Sequence, residues 1–235
     1  MERALDKQMD TLGVSQPKRT QIFYECLVVL SLCFLPSMIV SARDFWLGEQ
    51  PHLSIMSYGR LVALPSHVAH IGWIAAICFV LWRSGDFNLL NLRFDVKVDP
   101  IIIIGFSTIW TLLGGYLGQT TQERIHYGPF DLQTVILGVI AISIGAVAQE
   151  LLFRGYLQPR LTQLLGSHIG AWLTTSFLFG IWHLYQGPYG VVSAWVYGAL
   201  LGALVLKTRR TLSVMLVHSI TNSFLYVVAT HYFNS

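Results

Sequence analysis

Residues 133–157, QTVILGVIAISIGAVAQELLFRGYL, decide the class of this chain. Residues 133–148 contain no Lys, Arg, Asp or Glu and read as the body of a membrane-spanning helix. The run then admits Gln149, Glu150 and Arg154. An ionisable side chain at the centre of a bilayer costs roughly 2.5–3.5 kcal/mol on insertion scales, so each one there needs a reason.

The rest of the chain agrees on class. Of 235 residues, 54% are hydrophobic and only 11% charged, with a mean hydropathy of +0.56. Soluble domains carry about 25% charged residues. The expectation is an all-α polytopic membrane protein, about seven helices around a polar intramembrane cavity. The short alternating segments of a β-barrel are absent. Seven apolar runs qualify as spans: 22–41, 61–82, 100–118, 133–153, 169–186, 189–206 and 211–230. Residues 161–206 lack Lys, Arg, Asp and Glu and are long enough for two spans, with QGPYG at 186–190 as the turn. Residues 1–20 read as a cytoplasmic N-terminal segment and 21–235 as one membrane domain. No small-residue cleavage pattern follows the first run, which reads as a retained span and not a signal peptide.

Positive charge sets the orientation. With a cytoplasmic N-terminus, Arg43, Arg60 and Arg124 fall in outside loops and the other twelve of fifteen Lys and Arg fall inside. A bacterial inner membrane is the plainest setting. The loop 83–99, RSGDFNLLNLRFDVKVD, is expected to lie on the cytoplasmic surface as an interfacial element. The net charge of +3 suits anionic lipid headgroups, and no basic patch points to nucleic acid. Cys26, Cys33 and Cys78 sit in apolar runs and read as small buried residues.

Three segments place polar residues on helix faces. Glu150 and Arg154 are four apart and can pair. Phe179 precedes His183 by one turn. His218 and Asn222 are again four apart, a spacing that also glues helices together. Each alone reads equally well as structure: an ion pair at a helix end, an interfacial histidine, a polar helix contact. Together they supply a carboxylate, a tunable imidazole and hydrogen-bond donors for an oxyanion, the equipment for amide hydrolysis. His67, His70 and Glu25 read as structural.

The three segments resemble the CPBP family of CAAX-processing and bacteriocin-processing (Abi) intramembrane endopeptidases. The family motifs are Glu-Glu-x-x-x-Arg, Phe-x-x-x-His and His-x-x-x-Asn, in that order. Here they stand as Gln149-Glu150-x-x-x-Arg154, Phe179-x-x-x-His183 and His218-x-x-x-Asn222, within a family-like core at about 135–230. The resemblance implies a glutamic protease acting on a membrane-associated peptide or protein. In it, the first glutamate and His183 activate a water, His218 and Asn222 stabilise the oxyanion, and Glu150 and Arg154 support the site. No cofactor is expected. A zinc alternative would use Glu150, His183 and His218, but no His-Glu-x-x-His is present and asparagine is a poor ligand.

Gln149 departs from the pattern, since an amide cannot take the water's proton. Glu150 points about 100° away around the helix and does not occupy the same place. Three readings stay open: an engineered substitution that keeps substrate bound, a natural inactive member, or a Glu150 brought in by a local shift of the helix. A non-catalytic membrane scaffold or immunity protein is the rival function. A small transporter would need paired breaks in two related halves, and these are absent. The span limits also leave a conflict of depth. Glu150 and His218 fall toward the cytoplasm and His183 toward the outside, unless the fourth helix runs to about Arg160 or beyond and the fifth begins later.

Overall fold

The computed structural model describes residues 19–47, 64–118 and 132–232, which are helical with no strand among them. The expected N-terminal segment up to residue 18, Arg60 and Arg124 lie outside the described residues. Helix α1 runs through Arg19–Val29, a π-helical turn Leu30–Phe34 and Leu35–Leu47. Helix α2 is Leu64–Arg83 and α3 is Asp99–Gly118. Helix α4 joins Leu132–Glu150, a π-helical segment Leu151–Leu157 and Gln158–Leu165. Then follow α5 (His168–Trp182), α6 (Gly187–Thr208) and α7 (Thr211–Tyr232). Val135–Leu165 and Gly187–Thr208 are long and apolar enough to cross a membrane. Ala69–Arg83, Asp99–Leu113 and Thr211–Val227 are shorter apolar helical stretches.

Two of the expected boundaries move, and both moves matter. The fourth helix continues past residue 153 to Leu165, because Gln158, Arg160 and Thr162 are polar but helix-compatible and each finds hydrogen-bond partners inside the fold. It ends where Gly166 takes a left-handed φ of 65° and its N–H bonds the Thr162 carbonyl. Ser167 then caps α5 by accepting the Gly170 N–H at 3.0 Å. The second move is at the far end of α5. The helix stops at Trp182, and Leu184–Gln186 form a 3-10 turn. The turn therefore precedes residue 187, and most of QGPYG starts α6, with the proline in its first turn, where its missing N–H costs nothing.

These ends resolve the conflict of depth. Glu150 lies fifteen residues before Leu165, and His183 lies fifteen residues after His168. In a tight helical hairpin, equal counts on the two arms mean equal heights, about 22 Å from the turn.

The loop after α2 is not only a surface element. Its 3-10 turn Phe87–Leu90 buries Leu90 against Gly155, where an added Cβ would stand 2.9 Å from Leu90 Cδ2. Phe87, Leu92, Phe94, Val96 and Val98 remain exposed. Helices α5 and α6 pack closely, and α7 lies along α4 and α3. At the pole that carries the ends of α2, α4 and α6, ion pairs fasten the elements. Arg160 reaches Asp86 at 2.7 Å and Glu25 at 3.0 Å. Arg210 reaches Asp99 at 2.7 Å and Asp95 at 3.4 Å. Glu25 thus holds the structural role expected of it, and the His70 ring packs edge-on to Trp73 with centroids 4.8 Å apart. The His67 side chain lies outside the described residues. Cys26 and Cys33 are buried, Cys78 is half-buried, and all three are free thiols.

Candidate active site

The three motifs meet around one ring, that of Phe179. The Arg154 guanidinium carbon sits 4.5 Å from its centroid, a cation–π distance. The His183 and His218 rings lie 4.9 and 5.9 Å from it. Phe179 is itself 1% exposed. Helices α4, α5 and α7 each contribute one motif, so the convergence is tertiary.

Glu150 organises the charged side. Its Oε1 accepts a hydrogen bond from Arg154 Nη1 at 3.1 Å and lies 2.7 Å from His218 Nδ1. Glu150 is fully buried, and Arg154 and His218 are each 2% exposed. Breaking a buried pair by removing one partner leaves a naked charge, so each member depends on the others. A carboxylate accepts, so His218 donates its Nδ1–H, and Nε2 is left as the second ring position. A base held in orientation by a buried carboxylate is a recurrent catalytic arrangement. The second oxygen, Glu150 Oε2, is buried and has no hydrogen-bond partner among the described residues.

His183 sits at the C-cap of α5, with its Nδ1 2.8 Å from the Phe179 carbonyl. A carbonyl can only accept, so Nδ1 carries the hydrogen and Nε2 carries the lone pair. The early end of α5 therefore does two things. It sets the height of His183, and it turns the basic nitrogen away from the backbone.

Gln149 and Asn222 flank this cluster without joining it. Gln149 precedes Glu150 on α4, about 100° around the helix. It is partly exposed, yet its Oε1 is buried and unpaired. The π-helical segment begins after Glu150, so it leaves the angle between 149 and 150 untouched. No local shift brings Glu150 into the Gln149 position. Asn222 is half-buried one turn after His218. Among the described residues, no three His, Cys, Asp or Glu side chains are grouped to hold a metal ion, the set Glu150, His183 and His218 included.

Helix α6 supplies residues that the motifs do not contain. Arg154 Nη2 donates to the Gly198 carbonyl at 2.7 Å, and Gln158 Nε2 donates to the Gly202 carbonyl at 3.4 Å. A Cβ at Gly198 would fall 2.9 Å from Phe179 Cδ1 and 3.1 Å from Arg154 Nη2. The Tyr197 ring stands 5.3 Å from that of His218. One signal for this helix was legible: Ala194, Gly198 and Gly202 recur every four residues, a small-residue stripe that lets helices approach. Tyr197 had none.

A family model described as type II CAAX prenyl endopeptidase Rce1-like matches residues 131–224. The family consists of membrane proteins and is a protease family. No curated protein and no solved structure matches the chain. Residues 131–224 are thus similar to the Rce1-like family, in agreement with the CPBP resemblance of the three motifs.

Proposed function

We propose that the chain is a multi-pass intramembrane peptidase fold that binds a membrane-associated peptide or protein and acts on one of its peptide bonds. The observation that carries this reading is the meeting of Arg154, His183 and His218 around Phe179, from three helices, far from any local constraint. Seven spans as one membrane domain, a cytoplasmic N-terminus and a bacterial inner membrane complete the reading.

In this reading His183 Nε2 accepts a hydrogen bond from the attacking water. In the resemblance the residue at 149 on α4 works with His183, and a glutamate there would take the proton. The water attacks the scissile carbonyl carbon. His218, carrying hydrogen on both ring nitrogens so that Nδ1–H stays on Glu150 and Nε2–H is free, and the Asn222 amide N–H donate to the developing oxyanion. Glu150 orients His218, and Arg154 holds Glu150 in place. In this reading Glu150 is a positioning residue, holding His218 and Arg154 through Oε1.

Gln149 keeps the shape of a glutamate and lacks its basicity. The chain as written therefore holds substrate and water without the proton acceptor. The second reading, a non-catalytic scaffold of the same fold, draws on this one residue. Cleavage in liposomes separates the two. A panel of membrane peptides is presented to the chain and to its Gln149→Glu variant. Cleavage by the variant alone supports the peptidase reading and the place of residue 149. Cleavage by neither supports the scaffold. Equal cleavage by both removes residue 149 from the mechanism.

A further inference from the structure

Helix α2 packs along α4. A Cβ at Gly145 of α4 would stand 3.4 Å from His70 Cε1 and 3.6 Å from His70 Nδ1. The Nδ1–Cε1 edge of the His70 ring therefore lies over Gly145, in the volume that a side chain longer than alanine would take. Gln149 follows Gly145 by one turn. Residues four apart share a helix face, with Cβ positions about 5–6 Å apart. The face of α4 that carries Gln149 is thus the face that meets His70. Heights agree. Arg160 of α4 donates to Ser84, just past the end of α2, at 3.0 Å. From that contact Gly145 lies fifteen residues along α4 and His70 fourteen along α2, about 21–23 Å in each case.

Two features join His70 to the candidate site. First, a helical side chain projects back over the turn before its own Cα. For residue 149 that is the turn of Gly145, so the side chains of Gln149 and His70 converge on the space that the glycine leaves. Gln149 Oε1 is buried without a hydrogen-bond partner among the described residues. A buried acceptor left unserved is a costly feature to keep. Second, Trp73, one turn after His70, stands edge-on to its ring at 4.8 Å and meets Trp182 at 5.3 Å. Trp182 directly precedes His183. Helix α2 thus borders both residues, 149 and 183, that the proposed mechanism assigns to the attacking water.

We propose that His70 is a positioning residue of the active site and acts through the side chain at 149. Its imidazole N–H reaches that side chain through one bridging water, nearly as good as a direct hydrogen bond. With glutamine at 149 the water serves the amide oxygen. With glutamate there it serves the carboxylate, aims it and favours its ionised form, the form that accepts a proton. The edge-on contact with Trp73 holds the imidazole in its plane. An imidazole inside a span is costly, and this role gives His70 a reason to be there. The inference rests on the peptidase reading and adds to it a residue from outside the three motifs.

The test uses the full chain in phosphatidylcholine nanodiscs, with its histidines carbon-13 labelled at Cε1. The His70 signal is identified by its loss in His70→Phe, which keeps an aromatic ring against Trp73. Its NMR titration midpoint is expected about one pH unit higher in Gln149→Glu than in the native chain, because a nearby carboxylate favours the imidazolium. In the Gln149→Glu background, His70→Phe is expected to lower kcat about tenfold with KM unchanged. It also moves the acid limb of the kcat profile to higher pH, since the carboxylate loses a donor. His70→Gln keeps an N–H and recovers part of kcat. The proposal is overturned if the His70 midpoint is the same in both chains, or if His70→Phe leaves kcat and the acid limb where they were. It is also overturned if His70→Gln falls as far as His70→Phe. The two readings fail separately. A Gln149→Glu chain that cuts peptides while the His70 midpoint stays put sinks only the role of His70. A midpoint that moves while Gln149→Glu cuts nothing sinks only the peptidase.

Discussion

Arg154 and Arg160 lie six residues apart on one helix, and both are buried to within 2%. They do opposite work. Arg160 gathers Glu25 of α1, Asp86 and Ser84 of the loop after α2, and Gln163 of its own helix. It is a fastener between elements distant in sequence, and its carboxylate partners are 19% and 26% exposed. Arg154 has a single carboxylate, from its own helix, and that carboxylate is shared with a histidine and wholly enclosed. The first network meets water at its edge. The second leaves Glu150 Oε2 unsatisfied and aims two imidazoles at one ring. Buried charge spread over several elements with water at its edge fastens a fold, even with Arg160 Nε left without a partner among the described residues, whereas charge enclosed around one shared carboxylate gathers the motif side chains.

The comparison is broken or sharpened by substitution, and the largest effect belongs to the enclosed network. Glu150→Leu strands Arg154 without its counter-charge and is expected to destabilise the chain by about 3–5 kcal/mol. Adding Arg154→Leu to it removes the stranded charge and recovers most of that loss, while cleavage in a Gln149→Glu background stays abolished. Denaturant titration of the single and double variants in detergent reads this directly. If the double variant is no more stable than the single one, the pair is not the source of the penalty.

Arg160→Ala comes next, at about 2–4 kcal/mol, because it uncouples α1 from α4 but leaves carboxylates that water can reach. Proteolysis of α1 is expected to quicken in this variant while the site survives. Resistance equal to that of the native chain would mean that α1 is held by its apolar contacts alone.

Gly198→Ala tests the approach of α6. The new methyl group presses on Phe179 and on the Arg154 guanidinium together, with an expected cost of about 1–3 kcal/mol. Peptide cleavage in a Gln149→Glu background should fall by more than this loss of stability explains. Unchanged cleavage would release α6 from the site.

The smallest effect is at the exposed pole. Arg210→Gln is expected to cost under about 1 kcal/mol, and less at high salt. Burial pushes the Asp99 carboxyl upward, but the Asp95 amide N–H at 2.6 Å and Arg210 outweigh it and hold the carboxyl below the usual range. A lowered folded value means that this stabilisation is present above the ordinary carboxylate pKa of about 3.9 and is lost as pH falls through the lower folded value. Acid denaturation of Arg210→Gln should therefore begin at a higher pH than that of the native chain. Coincident acid transitions would show that Asp99 is held without Arg210, by the Asp95 amide and the Ser213 hydroxyl.

Much of this was legible one residue at a time. Helix positions follow from apolar runs of about twenty residues, because a backbone in an apolar medium must bond to itself. The pairing of Glu150 with Arg154 follows from helical spacing, since four residues return to the same face. Even the conflict of depth was legible, and its resolution was half foreseen in a longer fourth helix. What misled was hydropathy at its ends. Gln158, Arg160 and Thr162 look like the start of a loop until one sees that Gly202, Glu25 and Asp86 wait for the first two. Likewise QGPYG looks like a turn, although proline and glycine also begin helices.

By itself the sequence determined the helical class, the three polar faces and the departure of Gln149 from the Glu-Glu-x-x-x-Arg pattern. These depend on local spacing and on side-chain chemistry, which travel with the chain. Only the tertiary structure decided that the three faces meet at Phe179, that Glu150 serves His218, and that Gly198 and Tyr197 of an unmarked helix complete the site. Those contacts join residues up to 68 positions apart, as between Glu150 and His218. Their existence depends on helix ends and packing angles, and no repeat in the sequence encodes either.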